Sequence, residues 1–203
     1  MKIDNIKIRT DGYVLCKSVF YSSVDVIQDS TYTFSAGINR LSGEIDSGNW
    51  GLSYLLSMYK CRPKDFVIYG EPDITVNDMP ITLGELSKLS CYMDKIYPLF
   101  PSNASLKKSI IRGLKHSQLK YTCSDVLELF RIDDYLFERR LYGFGNAIFR
   151  AMAAIGFSYG KEIFCFPWLS SMRFEHYHNN MIVLLEILES LGKVVISPVG
   201  EVH

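Results

Sequence analysis

The sequence predicts an α/β fold with a largely parallel sheet, and three observations carry that expectation. Ile163, Phe164, Cys165 and Phe166 form an unbroken apolar run, the pattern of a strand buried on both faces. Val194, Val195, Ile196 and Ser197 repeat it near the other end of the chain. Helical segments alternate with these runs. One, at about 145–157, is rich in small residues (Ala147, Ala151, Ala153, Ala154) that suit close packing on a sheet, and the other, at 181–191, is apolar almost throughout. With 203 residues, 48% of them hydrophobic and 13% aromatic, the chain can bury one good core. No repeat, low-complexity tract or linker divides it, so a single domain over 1–203 is expected.

The other elements read in chain order. Residues 13–21 are rich in β-branched and aromatic side chains and read as a strand, as do 31–34, with Gly37 as punctuation. Residues 38–42 lead into a loop carrying Gly43, Gly48 and Gly51, and residues 52–59 suit a helix. Strand, Gly-rich loop and helix in succession are the setting that a phosphate-binding loop requires. Residues 66–69 and 73–76 read as short strands around Gly70, Glu71 and Pro72, and Asn77, Asp78, Met79 and Pro80 carry turn chemistry. Ser102 and Asn103 can cap a helix over about 104–115, and Ser124 and Asp125 another through Phe130.

Composition excludes several classes of function. Twenty-two basic residues balance 22 acidic ones, so no polyanion partner is indicated and nucleic acid is not expected. Lys107, Lys108, Arg112, Lys115 and Lys120 read as a solvated helix face. Cys16, Cys61, Cys91, Cys123 and Cys165 form no C-x-x-C pair, which argues against a zinc site or a disulfide framework and for reduced thiols in the cytosol. The amino-terminal residues carry scattered charge without an apolar core, unlike a signal peptide, and no window approaches the ~18 apolar residues of a membrane span.

Gly43, Glu44, Ile45, Asp46, Ser47, Gly48, Asn49 and Trp50 have the skeleton of G-x-x-x-x-G-K-[S/T], with Asn49 at the lysine position and Trp50 at the hydroxyl position. Two glycines so spaced also occur as ordinary turn residues, so the weight lies with the segments downstream of them. Leu141, Tyr142, Gly143, Phe144 and Gly145 resemble the signature L-S-G-G-Q, and the typical spacing from that leucine to a D-E-P motif lands on Cys165, Phe166 and Pro167. Residues 97–109 look like the stretch after a Q-loop, 194–198 like the strand before an H-loop, and 24–34 like the strand pair ahead of the glycine loop. Tyr21 or Phe20 stands where an adenine-stacking aromatic often sits. In order and spacing, residues 13–198 resemble the nucleotide-binding domains of ATP-binding-cassette (ABC) transporters. The resemblance implies a P-loop NTPase-like ABC ATPase domain: a mostly parallel core sheet, an antiparallel β subdomain, and a helical subdomain inserted at about 90–150.

The departures from the family pattern have chemical meaning. Working members use the loop lysine to neutralise phosphate charge and the following hydroxyl to hold Mg²⁺. Asn49 brings no charge, and Trp50 brings bulk in place of the hydroxyl. Cys165, at the Mg²⁺-shell aspartate, is a soft ligand for a hard ion, and Phe166, at the water-activating glutamate, has no proton chemistry. The Q-loop glutamine maps to Met93 or Asp94, the D-loop aspartate to Met172 and the H-loop histidine to Pro198. The resemblance thus implies no catalytic residue, with Cys165, Phe166 and Pro198 as degenerate positions. Nucleotide contacts would fall to Tyr21, Gly43, Ser47, Gly48, Asn49, Trp50 and Gly51. No cofactor is expected; ATP remains conceivable through the backbone nest, Mg²⁺ much less so. His176 and His178 would share a face only on a strand, and a helix there separates them, so no metal site is assigned.

The expected function is therefore a degenerate ABC-type ATP-binding subunit, a structural or regulatory partner of a membrane transport complex, held in the cytoplasm against the inner face of the membrane. Its partners would be a transmembrane subunit and a second ABC ATPase or a second copy of itself. The segment 92–101, with Tyr92, Tyr97 and Phe100 as exposed aromatics, is the expected docking surface. Residues 141–145 would face a partner's nucleotide, with Tyr142 and Phe144 replacing small residues. The alternatives are a nucleotide-responsive switch that binds ATP with weak or no hydrolysis, and a free-standing regulator using the fold as a scaffold.

Overall fold

The computed structural model describes residues 2–10, 13–17, 24–44, 47–58, 66–69, 72–94, 97–100 and 103–200. Its centre is a four-stranded parallel sheet built from β5 (Gly37–Ser42), β9 (Ser90–Tyr92), β10 (Ile163–Cys165) and β11 (Val194–Val199), in the order β5-β11-β10-β9. The apolar runs seen in the sequence are its two middle strands, with Ile163 opposite Val194 and Val194 opposite Gly37. Ile163, Phe164, Cys165, Val194, Val195 and Ile196 are all fully buried, as residues covered on both faces must be. All four strands run the same way, so their carboxyl ends share one edge, where loops gather ligands in open α/β sheets.

Two antiparallel sheets accompany it. One joins β1 (Asn5–Arg9), β4 (Thr31–Ser35), β7 (Asp73–Val76) and β8 (Met79–Pro80) in the order β4-β1-β7-β8. The other joins β2 (Tyr13–Lys17), β3 (Val24–Gln28) and β6 (Phe66–Tyr69) in the order β3-β2-β6. Ile6 and Ile8 of β1 point inward while Lys7 and Arg9 face out, an alternation that marks a half-buried strand.

Helix α1 (Asn49–Met58) follows β5 and is buried at every position but Trp50, because both the parallel sheet and β3 cover it. Helix α2 (Leu83–Leu89) precedes β9. Helices α3 (Leu106–Ser117), α4 (Cys123–Leu129) and α5 (Ile148–Ser158) lie between β9 and β10, and α6 (Ser171–His176) and α7 (His178–Ser190) between β10 and β11. The small residues of α5 do what their size allows: a Cβ on Gly156 would stand 2.9 Å from the Cys91 sulfur and 3.0 Å from the Phe164 ring. Across α5, Gly113 of α3 packs so closely that a Cβ there would meet Ser158 at 2.8 Å.

Several local expectations are corrected. Helix α3 starts at Leu106, later than 104, because Ser105 rather than Asn103 accepts the cap bond from the Lys108 N–H; Ser102 lies outside the described residues. Thr122, not Ser124 or Asp125, caps α4, and Asp125 instead returns a bond to the cap backbone. Residues 145–147 are a 3-10 turn ahead of α5. Met79 and Pro80 pair as β8 beyond a turn at Asn77 and Asp78. Helix α1 begins at Asn49, and α7 at His178. Strand β1, helix α2 and the three-residue β9 have no counterpart in the expected elements.

Candidate functional site

The glycine loop leaves the carboxyl end of β5 and turns into α1. Gly43 anchors it, its N–H donating to the Val199 carbonyl at 3.1 Å, and a Cβ here would stand 2.7 Å from the Ser47 hydroxyl. Ser47 closes a turn onto Glu44, donating through N–H at 3.1 Å and hydroxyl at 2.6 Å to the same carbonyl. Gly48 has φ +88, and a Cβ on it would be 2.8 Å from the Val26 carbonyl of β3, so both conformation and space demand glycine.

Side chains around the loop are committed to internal partners. Asn49 folds back to donate to the Ser42 carbonyl at 3.1 Å. The Trp50 indole donates to the Tyr92 hydroxyl at 3.1 Å and stacks on Tyr54, whose ring meets Tyr92 edge-on. From beyond β10, the Trp168 indole donates to the Gly43 carbonyl at 3.0 Å. The first turn of α1 is closed by Asp25 of β3: one carboxylate oxygen accepts from the Gly48 N–H and the other from the Gly51 N–H, each at 2.5 Å. Asp25 is only 1% exposed. Sequence reasoning missed it, yet a signal existed: in β3 it shares the inward face with buried Ile27, while Val26 between them faces out.

Cys165 ends β10, and Phe166 follows it; both are fully buried. Burial pushes the Cys165 thiol up to about 12, only partly offset by hydrogen bonds with Ser57 and Ser53, so it stays a neutral thiol. The Phe166 ring packs on Phe149 at 5.7 Å, and its carbonyl accepts from the Ser53 hydroxyl at 2.5 Å. Pro198 is buried within β11. Met93 is buried, its N–H donating to the Cys165 carbonyl at 2.8 Å, whereas Met172 is 78% exposed. The structure thus brings Gly43, Ser47, Gly48, Asn49, Trp50 and Gly51 together beside the ends of β10 and β11. Tyr21 and Phe20 lie outside the described residues.

The expected docking aromatics are corrected by their burial. Tyr92, Tyr97 and Phe100 are 2%, 6% and 4% exposed, so they are core residues rather than a display surface. The Tyr97 hydroxyl donates to the Ser90 carbonyl at 2.9 Å, and its ring packs on Phe100. At the signature-like segment, Leu141 and Phe144 are buried too, while Gly143 and Gly145 are exposed. The Tyr142 side chain lies outside the described set. An open depression of ≈ 500 Å³ adjoins this segment, with Arg139, Asn146, Arg150 and Asn180 in its lining. Among the described residues no group of His, Cys, Asp or Glu is arranged to hold a metal ion, and no helix is long and apolar enough to cross a membrane.

No protein-family model matches the sequence, and no curated protein matches it. Among solved structures, a chain from Pyrococcus furiosus described as "Putative ABC transporter (ATP-binding protein)" is similar, with a TM-score of 0.62 at 16% identity, covering 98% of this chain and 92% of its own. At that identity the structural likeness shows the fold alone, and the fold is shared nearly end to end. The parallel sheet, the antiparallel strands and the glycine loop entering α1 together give this chain the fold of an ABC-type ATP-binding protein.

Proposed function

We propose that the chain is a catalytically degenerate ABC-type subunit, acting as a structural or regulatory partner of a membrane transport complex at the inner face of the cell membrane. One observation carries this reading: the positions of the loop lysine, the loop hydroxyl and the two carboxylates for Mg²⁺ and water hold side chains already spent on internal contacts. Asn49 bonds Ser42, Trp50 bonds Tyr92, and Cys165 and Phe166 are sealed in the core. Phosphoryl transfer rests on charge compensation and positioning, and those contacts provide neither for a nucleotide. What the fold retains is shape, and shape serves binding to other proteins. The Pyrococcus neighbour is described as an ABC transporter ATP-binding protein, which supports a transmembrane subunit, and a second ABC ATPase or a second copy of this chain, as partners here.

An ATPase assay of the purified chain, with and without Mg²⁺, tests the reading. The expected result is no Mg²⁺-dependent turnover above background, and a rate approaching the ~1 s⁻¹ of ordinary enzymes would overturn it. The second reading is a nucleotide-responsive switch, favoured by the loop's retained route into the amino terminus of α1. Saturable ATP binding without hydrolysis would select it.

A further inference from the structure

Asp25 is a carboxylate in a setting that normally excludes carboxylates. It is buried in a β-branched strand, and its two oxygens take the Gly48 and Gly51 amides at 2.5 Å each. Those amides belong to the start of α1, whose first N–H groups have no partner inside the helix. A loop leading into a helix amino terminus presents such donors, with the positive end of the helix dipole, to an anion. In this chain β3 supplies that anion, and its backbone lies directly against the loop: a Cβ on Gly48 would be 2.8 Å from the Val26 carbonyl. Asn49 brings no charge to balance a second anion.

We infer that Asp25 is an internal ligand of the loop. Its carboxylate takes the place of a nucleotide phosphate, holds the loop and α1 in their ligated shape, and bars a phosphate from the same two amides. The inference rests on reading residues 43–51 as a relic phosphate-binding loop. Two anions on these donors would repel at low dielectric, so the carboxylate and a phosphate exclude each other. The chain consequently reaches its loop conformation without nucleotide.

The test compares the wild-type chain with Asp25→Ala and Asp25→Asn. Each is titrated with inorganic pyrophosphate by calorimetry and followed by thermal melting, with ionic strength matched by sodium chloride. Asp25→Ala is expected to melt below the wild type in chloride and to regain part of that loss in pyrophosphate, binding it at least roughly tenfold tighter than wild type. Asp25→Asn, which keeps the shape and one acceptor oxygen but loses the charge, is expected to bind more tightly than wild type by a smaller factor. It carries the comparison should Asp25→Ala fail to fold. Folded variants that bind pyrophosphate no better than wild type would overturn the inference. ATP turnover by the wild type would instead remove the degenerate-subunit reading, whatever the Asp25 comparison showed.

Discussion

Lys193, 9% exposed at the entry to β11, places its ammonium 2.7 Å from Glu162 and 5.6 Å over the Phe157 ring. Its side chain keeps 11% of its surface and that of Glu162 keeps 21%, so the pair is largely desolvated, the lysine more so. Breaking such a pair leaves a charge without compensation, which costs more than replacing both charges. Glu162→Ala is therefore expected to destabilise by roughly 1–3 kcal/mol, allowing for residual solvent screening. Lys193→Met, which keeps the apolar stem on Phe157, should cost less, and urea unfolding of the two variants checks the order. At this scale the sequence is a partial guide. Asn49, Trp50, Cys165 and Phe166 announce themselves by breaking a pattern. The burial of Tyr92, Tyr97 and Phe100 does not, because three aromatics in a short stretch fit an exposed patch as well as a core until their neighbours are known.

Helices α2 and α4 open on the same device. Thr82 accepts from the Glu85 N–H while Glu85 accepts from the Thr82 N–H, and Thr122 and Asp125 do likewise. The backbone bond to each carboxylate, then the side-chain bond, holds Glu85 below its ordinary 4.5 and Asp125 below its ordinary 3.8. A depressed value in the folded state contributes stability that is present above the unfolded value and is lost as pH falls through the folded one. The double variant Glu85→Gln, Asp125→Asn is thus expected to be less stable than wild type at neutral pH. That gap should narrow once pH drops below 4.5, measured as urea midpoints across an acid series. Both boxes stand in the sequence as T-x-x-E and T-x-x-D, a signal that the expected elements did not use: α2 was missed and α4's cap was set at Ser124 and Asp125. Strand β9 was not legible, since three residues carry no periodicity and are fixed only by pairing with β10.

Over the whole molecule, the order β5-β11-β10-β9 makes β11, the last strand among the described residues, the link between the loop-bearing strand and the rest of the parallel sheet. Gly37 pairs with Val194, so β5 waits on residues far along the chain before it has a parallel neighbour. Deleting residues 194–203 should therefore abolish cooperative unfolding rather than trim a terminus, which a loss of the thermal transition would show. The sequence displayed the two apolar middle strands and hence the α/β class, but strand order is a long-range property that local pattern does not encode. The chain has two tryptophans, Trp50 and Trp168, and each donates its indole N–H into the loop region, to Tyr92 and to Gly43. All of the protein's indole emission thus originates beside one short stretch of backbone. Its fluorescence spectrum is a built-in, label-free reporter of any change in the surroundings of that stretch.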